Sequence, residues 1–394
     1  IGAGPAGLSV ARELAVKGYQ VTVYDNLPYG GGTMLIGVPA FRLPREAIET
    51  DVRLIERLGV TFVYNTEVGR DITFEQLQQQ FDAIAICAGA MNAVALDIPG
   101  ADLSGLVYGV DFMKDANLGK PLSVGTDVVV IGGGYTAMDC SRTSLRHGAE
   151  RVTIAYRRTR SELVVDEEEL GETEREGVRM EFLVSPLELV GENGRITGVK
   201  MIKNRLGEPD ASGRRSPIPI EGSEYIVPAD TVIPAVSQSA DLGFLPVESS
   251  FEVARGRVKV DPATYATNVR GVWACGDFVT GPTTMIESAG HAKKCAYAID
   301  RYLSGAANVT VDANVRVTSS WRHDMPEFYD RIPRQHIPVL PLEARLPSAD
   351  PVTNFTTQVE LGYGAQQAIA ESTRCLMCNY NIWFDPMRCV LCGA

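Results

Sequence analysis

Histidine is scarce, at four in 394 residues. Neither an H-E-x-x-H zinc motif nor a Ser-His-Asp candidate appears in the sequence, so acid–base chemistry on a bound substrate finds little support. Long apolar runs are absent too: none approaches the roughly 20 residues that span a bilayer. The longest, such as VTVY and DVVVIGGG, are short and β-branched and read as buried strands. Positive charge is in deficit. Lysine and arginine number 37 against 49 acidic residues, a net charge of −12, which argues against nucleic acid and against an anionic membrane surface. A disulfide framework is also missing. Of eight cysteines, Cys87, Cys140, Cys275 and Cys295 sit singly among apolar and small residues, as buried thiols do. The other four form two C-x-x-C pairs, which suits a reducing cytoplasm. The chain is too long for one small core, so two or three domains are expected.

Glycine is where the information lies. The opening IGAGPAGLSVARELAVKGYQVTVYD carries Gly2, Gly4 and Gly7 as G-x-G-x-x-G. A helical stretch follows from about Leu8 to Val16, Gly18 stops it, and the strand QVTVYD ends on Asp25. Gly2 makes the tight turn, Gly4 lets a pyrophosphate approach the backbone, and Gly7 lets the helix pack on the sheet. The helix amino terminus faces the phosphates, and Asp25 can hold ribose hydroxyls. The sequence opens inside what should be a strand, so further residues are expected upstream.

The pattern returns in DVVVIGGGYTAMDCSRTSLRHGAERVTIAYRR. Gly132 and Gly134 are its first glycines, and Ala137 takes the third place, an allowed variant. Its second strand ends on Arg157 and Arg158 rather than on an acid. A guanidinium can clamp a 2′-phosphate that a carboxylate would repel, so the second site leans towards NADP, with NAD left open. Ion pairing of these arginines with the acidic run Asp166–Glu169 is the competing reading. Two more segments complete the first site. Phe81–Ala90 is a buried strand that breaks at Ala88 and Gly89. A later strand ends in Gly276 and Asp277 and leads into a helix from about Thr284, whose amino terminus could face a flavin ring.

The order of these motifs, with GGGTMLIGVPAFRL and GVWACGDF, resembles the flavoproteins with two dinucleotide-binding domains, and among them the small subunit of NADPH-dependent glutamate synthase and its relatives. The likeness runs from Ile1 to about Leu303, and the loop Gly31–Leu43 is specific to that subgroup. The resemblance implies an α/β fold of two Rossmann-like domains, the NAD(P) domain inserted in the FAD domain. It implies FAD contacts by Gly2, Gly4, Gly7, Asp25, Gly32, Arg42, Gly276, Asp277 and Thr284, and NADP(H) contacts by Gly132, Gly134, Thr136, Arg157 and Arg158. Disulfide reductases on this scaffold keep a cysteine pair beside the flavin. The loop here has none, so electrons are expected to leave by another route.

After Leu303 the character changes. A stretch rich in proline, with aromatic and basic residues between, reads as an extended arm on the protein or a partner. GAQQAIAESTRCLMC then reads as a short helix delivering Cys375 and Cys378, and Cys389 and Cys392 follow. The final CVLCGA resembles the opening of a ferredoxin motif whose third cysteine would fall just past Ala394, so further residues are expected there. Glutamate synthase small subunits carry their cluster cysteines at the amino end, and this chain departs from them in that respect.

The expected organisation is residues 1–120, FAD-binding domain, first half; 121–234, NAD(P)-binding domain; 235–303, FAD-binding domain, second half; 304–374, arm; and 375–394, a cysteine-pair metal segment. The expected function is an FAD-dependent electron-transfer subunit passing electrons between NAD(P)(H) and iron–sulfur centres of a larger catalytic or iron–sulfur partner. Two alternatives stand beside it: a true glutamate synthase small subunit, and a scaffold subunit whose cysteine pairs hold structural zinc. For zinc, ten residues between the pairs is short.

Overall fold

A computed structural model describes residues 1–209, 213–246, 251–305, 333–346 and 348–374. The chain divides into two units, Ile1–Asn308 with Leu342–Gln358, and Val309–Pro341 with Val359–Ala394.

In the first unit, Ile1 sits between strands that come later in the chain. Helix α1 (Pro5–Val16) leaves the glycine turn at once. Pro5 at its first turn has no amide to leave unpaired, and Ala6, Leu8, Val10, Ala11 and Leu14 are buried. Strands β1 (Thr22–Tyr24) and β2 (Thr61–Val63) pair in parallel, and β3 (Ile84–Ile86) lies on the other side of Ile1. The Gly2 amide donates to the Tyr24 carbonyl at 2.8 Å, the Ile1 nitrogen to Ala85 at 2.8 Å, and the Cys87 amide to Ile1 at 2.8 Å.

The chain then builds a second parallel sheet. Strand β4 (Asp127–Ile131), helix α2 (Tyr135–Arg146), β5 (Arg151–Tyr156), helix α3 (Glu167–Arg175) and β6 (Arg179–Phe182) follow in turn, and β7 (Thr231–Pro234) returns to give the order β7-β4-β5-β6. After their first residues, Asp127 and Thr231, strands β4 and β7 are apolar and buried because helices and a second sheet cover both faces. Between β6 and β7 the chain makes an antiparallel excursion. Its first hairpin, Val184–Glu192 with Arg195–Pro209, turns on Asn193 (φ 51°) and Gly194 (φ 76°). Two consecutive positive φ angles in a two-residue loop are what an Asn-Gly hairpin supplies.

Strand β8 (Val272–Ala274) then pairs in parallel with β3. The β4–β7 sheet is therefore inserted, in sequence, between two neighbours of the first sheet. Helix α4 (Met285–Ser304) begins with a capping box of Thr284 and Glu287 and ends at Gly305 in the left-handed conformation. Its Ala292, Cys295, Ala296 and Ile299 pack on Ala6, Val10 and Leu14 of α1. No helix of the described residues is long and apolar enough to cross a membrane.

The arm residues that belong to this unit form two short helices, Leu342–Arg345 and Pro351–Thr356, the second capped by Asp350. In the other unit, Val339 bridges Glu360, the Tyr363 hydroxyl donates to the Gln335 carbonyl at 2.7 Å, and a helix spans Ala365–Ser372. The helix expected before Cys375 is thus present. Cys375, Cys378, Cys389 and Cys392 lie outside the described residues.

Candidate functional site

A cavity of about 330 Å³ lies between the first glycine turn and the start of α2. It brings together Gly2, Gly4, Asp25 and Gly32, then Ala88 and Gly89 after β3, and Asp277 before α4. Thr136 and Asp139 reach it from α2 of the inserted domain. Of the other expected residues, Gly7, Arg42, Gly132, Gly134, Arg157, Arg158, Gly276 and Thr284 do not line it. A larger void of about 480 Å³ sits between β1 and β3 under α1, and among the expected residues only Gly2 and Gly7 line it.

The three glycines of the first turn do different work. At Gly2 (φ 96°) an added Cβ would stand 2.4 Å from the Cys87 carbonyl oxygen, and at Gly7 it would stand 1.8 Å from that of Gly2. Both are demanded by the fold itself. At Gly4 the Cβ would meet only the Gly32 Cα, at 3.7 Å. Gly4 therefore leaves space above the amino terminus of α1, where first-turn amides favour an anion. The second turn repeats the division: a Cβ at Gly132 would lie 2.5 Å from the Ala235 carbonyl, whereas Gly134 faces nothing within 4 Å. Two open glycines at two helix amino termini fit two dinucleotide pyrophosphates.

Asp25 is buried at the end of β1. Its carboxylate accepts from the Ala3 amide at 2.6 Å and the Leu27 amide at 2.8 Å. Burial pushes its carboxyl up from the usual range, against these two bonds. It holds the turn in shape while keeping acceptor capacity towards the cavity. Asp277 accepts from the Thr283 amide at 3.2 Å, the Thr283 hydroxyl at 2.9 Å and the Ser288 hydroxyl at 3.2 Å, and burial raises it as well. Thr284 spends its hydroxyl on the α4 cap, and its neighbours Thr283 and Met285 face the cavity instead.

Arg42 crosses from the first domain to the second. It donates to Asp139 at 2.8 Å and pairs with Glu169 at 3.2 Å, while its buried Nε has no partner among the described residues. Asp139 itself is buried, which pushes its carboxyl up to about 6 although Arg42 pulls it down. Nothing in the sequence marked Asp139 out, because its partner is 97 positions away. Arg45 was missed as well. It donates to the Met34 carbonyl at 3.0 Å and the Val38 carbonyl at 2.6 Å, and to Asn117, so that it holds the short helix of the flavin-side loop. Burial lowers its guanidinium to about 10.

The two arginines after β5 diverge. Arg157 is exposed and makes no ion pair among the described residues. Arg158 is 3% exposed, and its Nε donates to the Arg215 carbonyl at 2.7 Å. The acidic run is engaged elsewhere: Asp166 caps α3 and accepts from Tyr135, Glu167 pairs with Arg160, and Glu169 with Arg142.

Among the described residues no group of histidine, cysteine and acidic side chains is placed to hold a metal ion. Cys87, Cys140, Cys275 and Cys295 are buried free thiols.

The family model of pyridine nucleotide-disulphide oxidoreductases matches residues 1–296. The beta subunit of NADP(+)-dependent formate dehydrogenase from Moorella thermoacetica is 42% identical over 391 residues, which is 96% of this chain and 54% of that protein. The beta subunit of NADPH-Fe(3+) oxidoreductase from Geobacter sulfurreducens is 39% identical over 413 residues, 96% of this chain and 60% of that protein. The chain thus spans little more than half the length of these relatives. The glutamate synthase (NADPH) small chain of Azospirillum brasilense is 37% identical over 325 residues, 79% of this chain and 67% of that protein. FprA from Mycobacterium tuberculosis, solved with NADPH, shares the fold with a TM-score of 0.66 at 20% identity, over 77% of this chain and 84% of that chain. The chain belongs to the pyridine nucleotide-disulphide oxidoreductase family.

Proposed function

We propose that this chain is the FAD-binding, NADP(H)-linked electron-transfer subunit of a larger oxidoreductase, passing electrons between the nicotinamide cofactor and iron–sulfur centres. The observation that carries the reading is a cavity in which Gly4, Asp25, Gly32 and Asp277 of one domain meet Thr136 and Asp139 of the other. Bound there, FAD supplies the step between two-electron hydride transfer and one-electron transfer. The chain's own residues orient and exclude water. Gly4 and Gly32 admit the pyrophosphate, Asp25 accepts from ribose hydroxyls, and Asp277 sits at the turn before α4. Gly134 and Thr136 open the nicotinamide side. The relatives support a partner complex, since two of them are beta subunits by name. Cys375, Cys378, Cys389 and Cys392 are assigned to an iron–sulfur cluster because CVLCGA resembles the opening of a ferredoxin motif, the C-x-x-C spacing alone suiting zinc equally. Four buried free thiols support a reducing compartment, the cytoplasm.

The test is anaerobic purification followed by NADPH addition. A yellow protein with one FAD, bleached by NADPH and accompanied by iron and acid-labile sulfide, is the expected result. Absence of flavin, or flavin that NADPH does not bleach, overturns the reading. Zinc without sulfide would move the tail to the scaffold role.

Cofactor choice separates the two arginines. Arg157→Ala should remove charge-assisted bonds worth about 1.5–3 kcal/mol to a 2′-phosphate. NADPH affinity should then fall roughly tenfold to a hundredfold, with NADH affinity nearly unchanged in the same titration. Arg158→Ala should weaken both cofactors and lower the unfolding midpoint, because it also frees the Arg215 carbonyl. A wild-type protein that prefers NADH would contradict the role given to Arg157.

A further inference from the structure

A buried charge cluster lies behind the flavin-side loop and reaches the cofactor cavity only at Asp139. Glu176 accepts from Arg142 at 2.9 Å, from Arg146 at 2.6 Å and from Arg345 at 2.9 Å. Arg142 also pairs with Glu169 at 2.8 Å, and Arg345 with Glu172 at 2.6 Å. Arg42 joins through Asp139 and Glu169. Burial alone would raise the Glu176 carboxyl, but the bonds from Arg146 and Arg142 outweigh it and hold it near 2. The cluster therefore carries four cations, Arg42, Arg142, Arg146 and Arg345, against four carboxylates, Asp139, Glu169, Glu172 and Glu176. Arg175 also reaches Glu172, but from the solvent side. The fourth buried cation comes from the arm. Without Arg345 three buried cations would face four carboxylates, and an uncompensated buried charge is strongly unfavourable.

The same arm segment closes over the loop itself. Phe41 is fully buried. The Arg146 guanidinium lies 3.7 Å from its ring centre, that of Arg142 4.9 Å, and Phe355 of the arm meets it edge-on at 6.0 Å. Phe41 and Arg42 are adjacent, so cluster, arm and loop form one packed body. Arg42 then ends on Asp139, which lines the cavity.

We propose that arm residues 342–358 are a positioning clasp: Arg345 completes the charge balance that fixes the flavin-side loop, residues 31–43, to the nicotinamide domain. The clasp rests on the electron-transfer reading only for its effect on hydride transfer. Its effect on the loop stands without any cofactor. Arg345 touches no cofactor-cavity residue and acts through Glu172, Glu176 and their arginines.

The test uses the whole chain, cofactor-free and FAD-loaded, with Arg345→Met and with Arg345→Met combined with Glu172→Gln. The single change leaves the cluster one positive charge short, and the double change restores balance at three against three. Amide exchange in residues 31–43 should rise about tenfold or more in Arg345→Met, with and without FAD. Flavin reduction by NADPH should slow by about tenfold to a hundredfold with NADPH affinity unchanged, as misplaced reacting groups require. The double variant should return both to within about threefold of wild type. A loop whose exchange is unchanged in Arg345→Met overturns the clasp. So does a double variant as impaired as the single one, since a contact made by shape alone gains nothing from Glu172→Gln. Should Arg345→Met fail to fold, recovery of folding in the double variant supports the clasp and its absence overturns it. If the exchange pattern appears but wild-type flavin is not reduced by NADPH, the clasp stands and the functional reading falls.

Discussion

Gly4→Val is expected to give a folded but colourless protein. The backbone at Gly4, with φ −78° and ψ −175°, is open to any residue. A Cβ there meets only the Gly32 Cα, at ordinary contact distance. The protein thus has room for a Cβ at this position. The valine methyl groups would occupy the space above the amino terminus of α1, and the loss of two amide bonds to a pyrophosphate is worth about 3–6 kcal/mol. FAD affinity should therefore fall by roughly a hundredfold to ten-thousandfold. Gly7→Ala is the control with the opposite signature. Its Cβ would lie 1.8 Å from the Gly2 carbonyl oxygen, so α1 must shift off its own turn at a cost of about 3 kcal/mol or more. Urea unfolding and flavin absorbance, read together, separate the two. Gly4→Val that keeps full flavin, or unfolds as early as Gly7→Ala, contradicts the division of labour assigned to these glycines.

That division was partly legible in the sequence, because a glycine fingerprint is a local rule. Spacing alone placed both turns, the acid at Asp25 and the arginines after β5. It put the first helix at Leu8, and the helix begins at Pro5 because proline fits the first turn. The Asn193-Gly194 hairpin is equally local, since its dipeptide alone favours a tight turn. Arg157 and Arg158 read as one dipeptide, yet side chains alternate where a strand ends, and only one is buried. What lay beyond reach was non-local. Arg345 and Glu176 are 169 positions apart, and no periodicity announces that an arginine in a proline-rich arm will complete a buried cluster. The arm was expected to be extended. Asp350 caps a helix there because Pro351 falls at its first turn, and Phe355 is buried against Phe41.

Cys389→Ser should abolish electron transfer to the physiological acceptor while leaving NADPH-to-dye reduction within about twofold of wild type. A serine hydroxyl is a harder and far less acidic ligand than a thiolate, so a cluster held at C-x-x-C spacing should lose both iron and labile sulfide. Among the described residues, those that line the cofactor cavity run from Gly2 to Ser288, so flavin reduction is expected not to need the cysteine pairs. The experiment compares wild type and variant, purified without oxygen, for iron, sulfide, dye reduction and reduction of the co-purifying partner. Dye reduction lost in step with the iron would mean that the tail supports the flavin site itself. Iron and sulfide retained in full would remove Cys389 from the ligand set. Loss of metal with partner reduction intact would sever the tail from the electron path, because a one-electron route that survives without its cluster never ran through it.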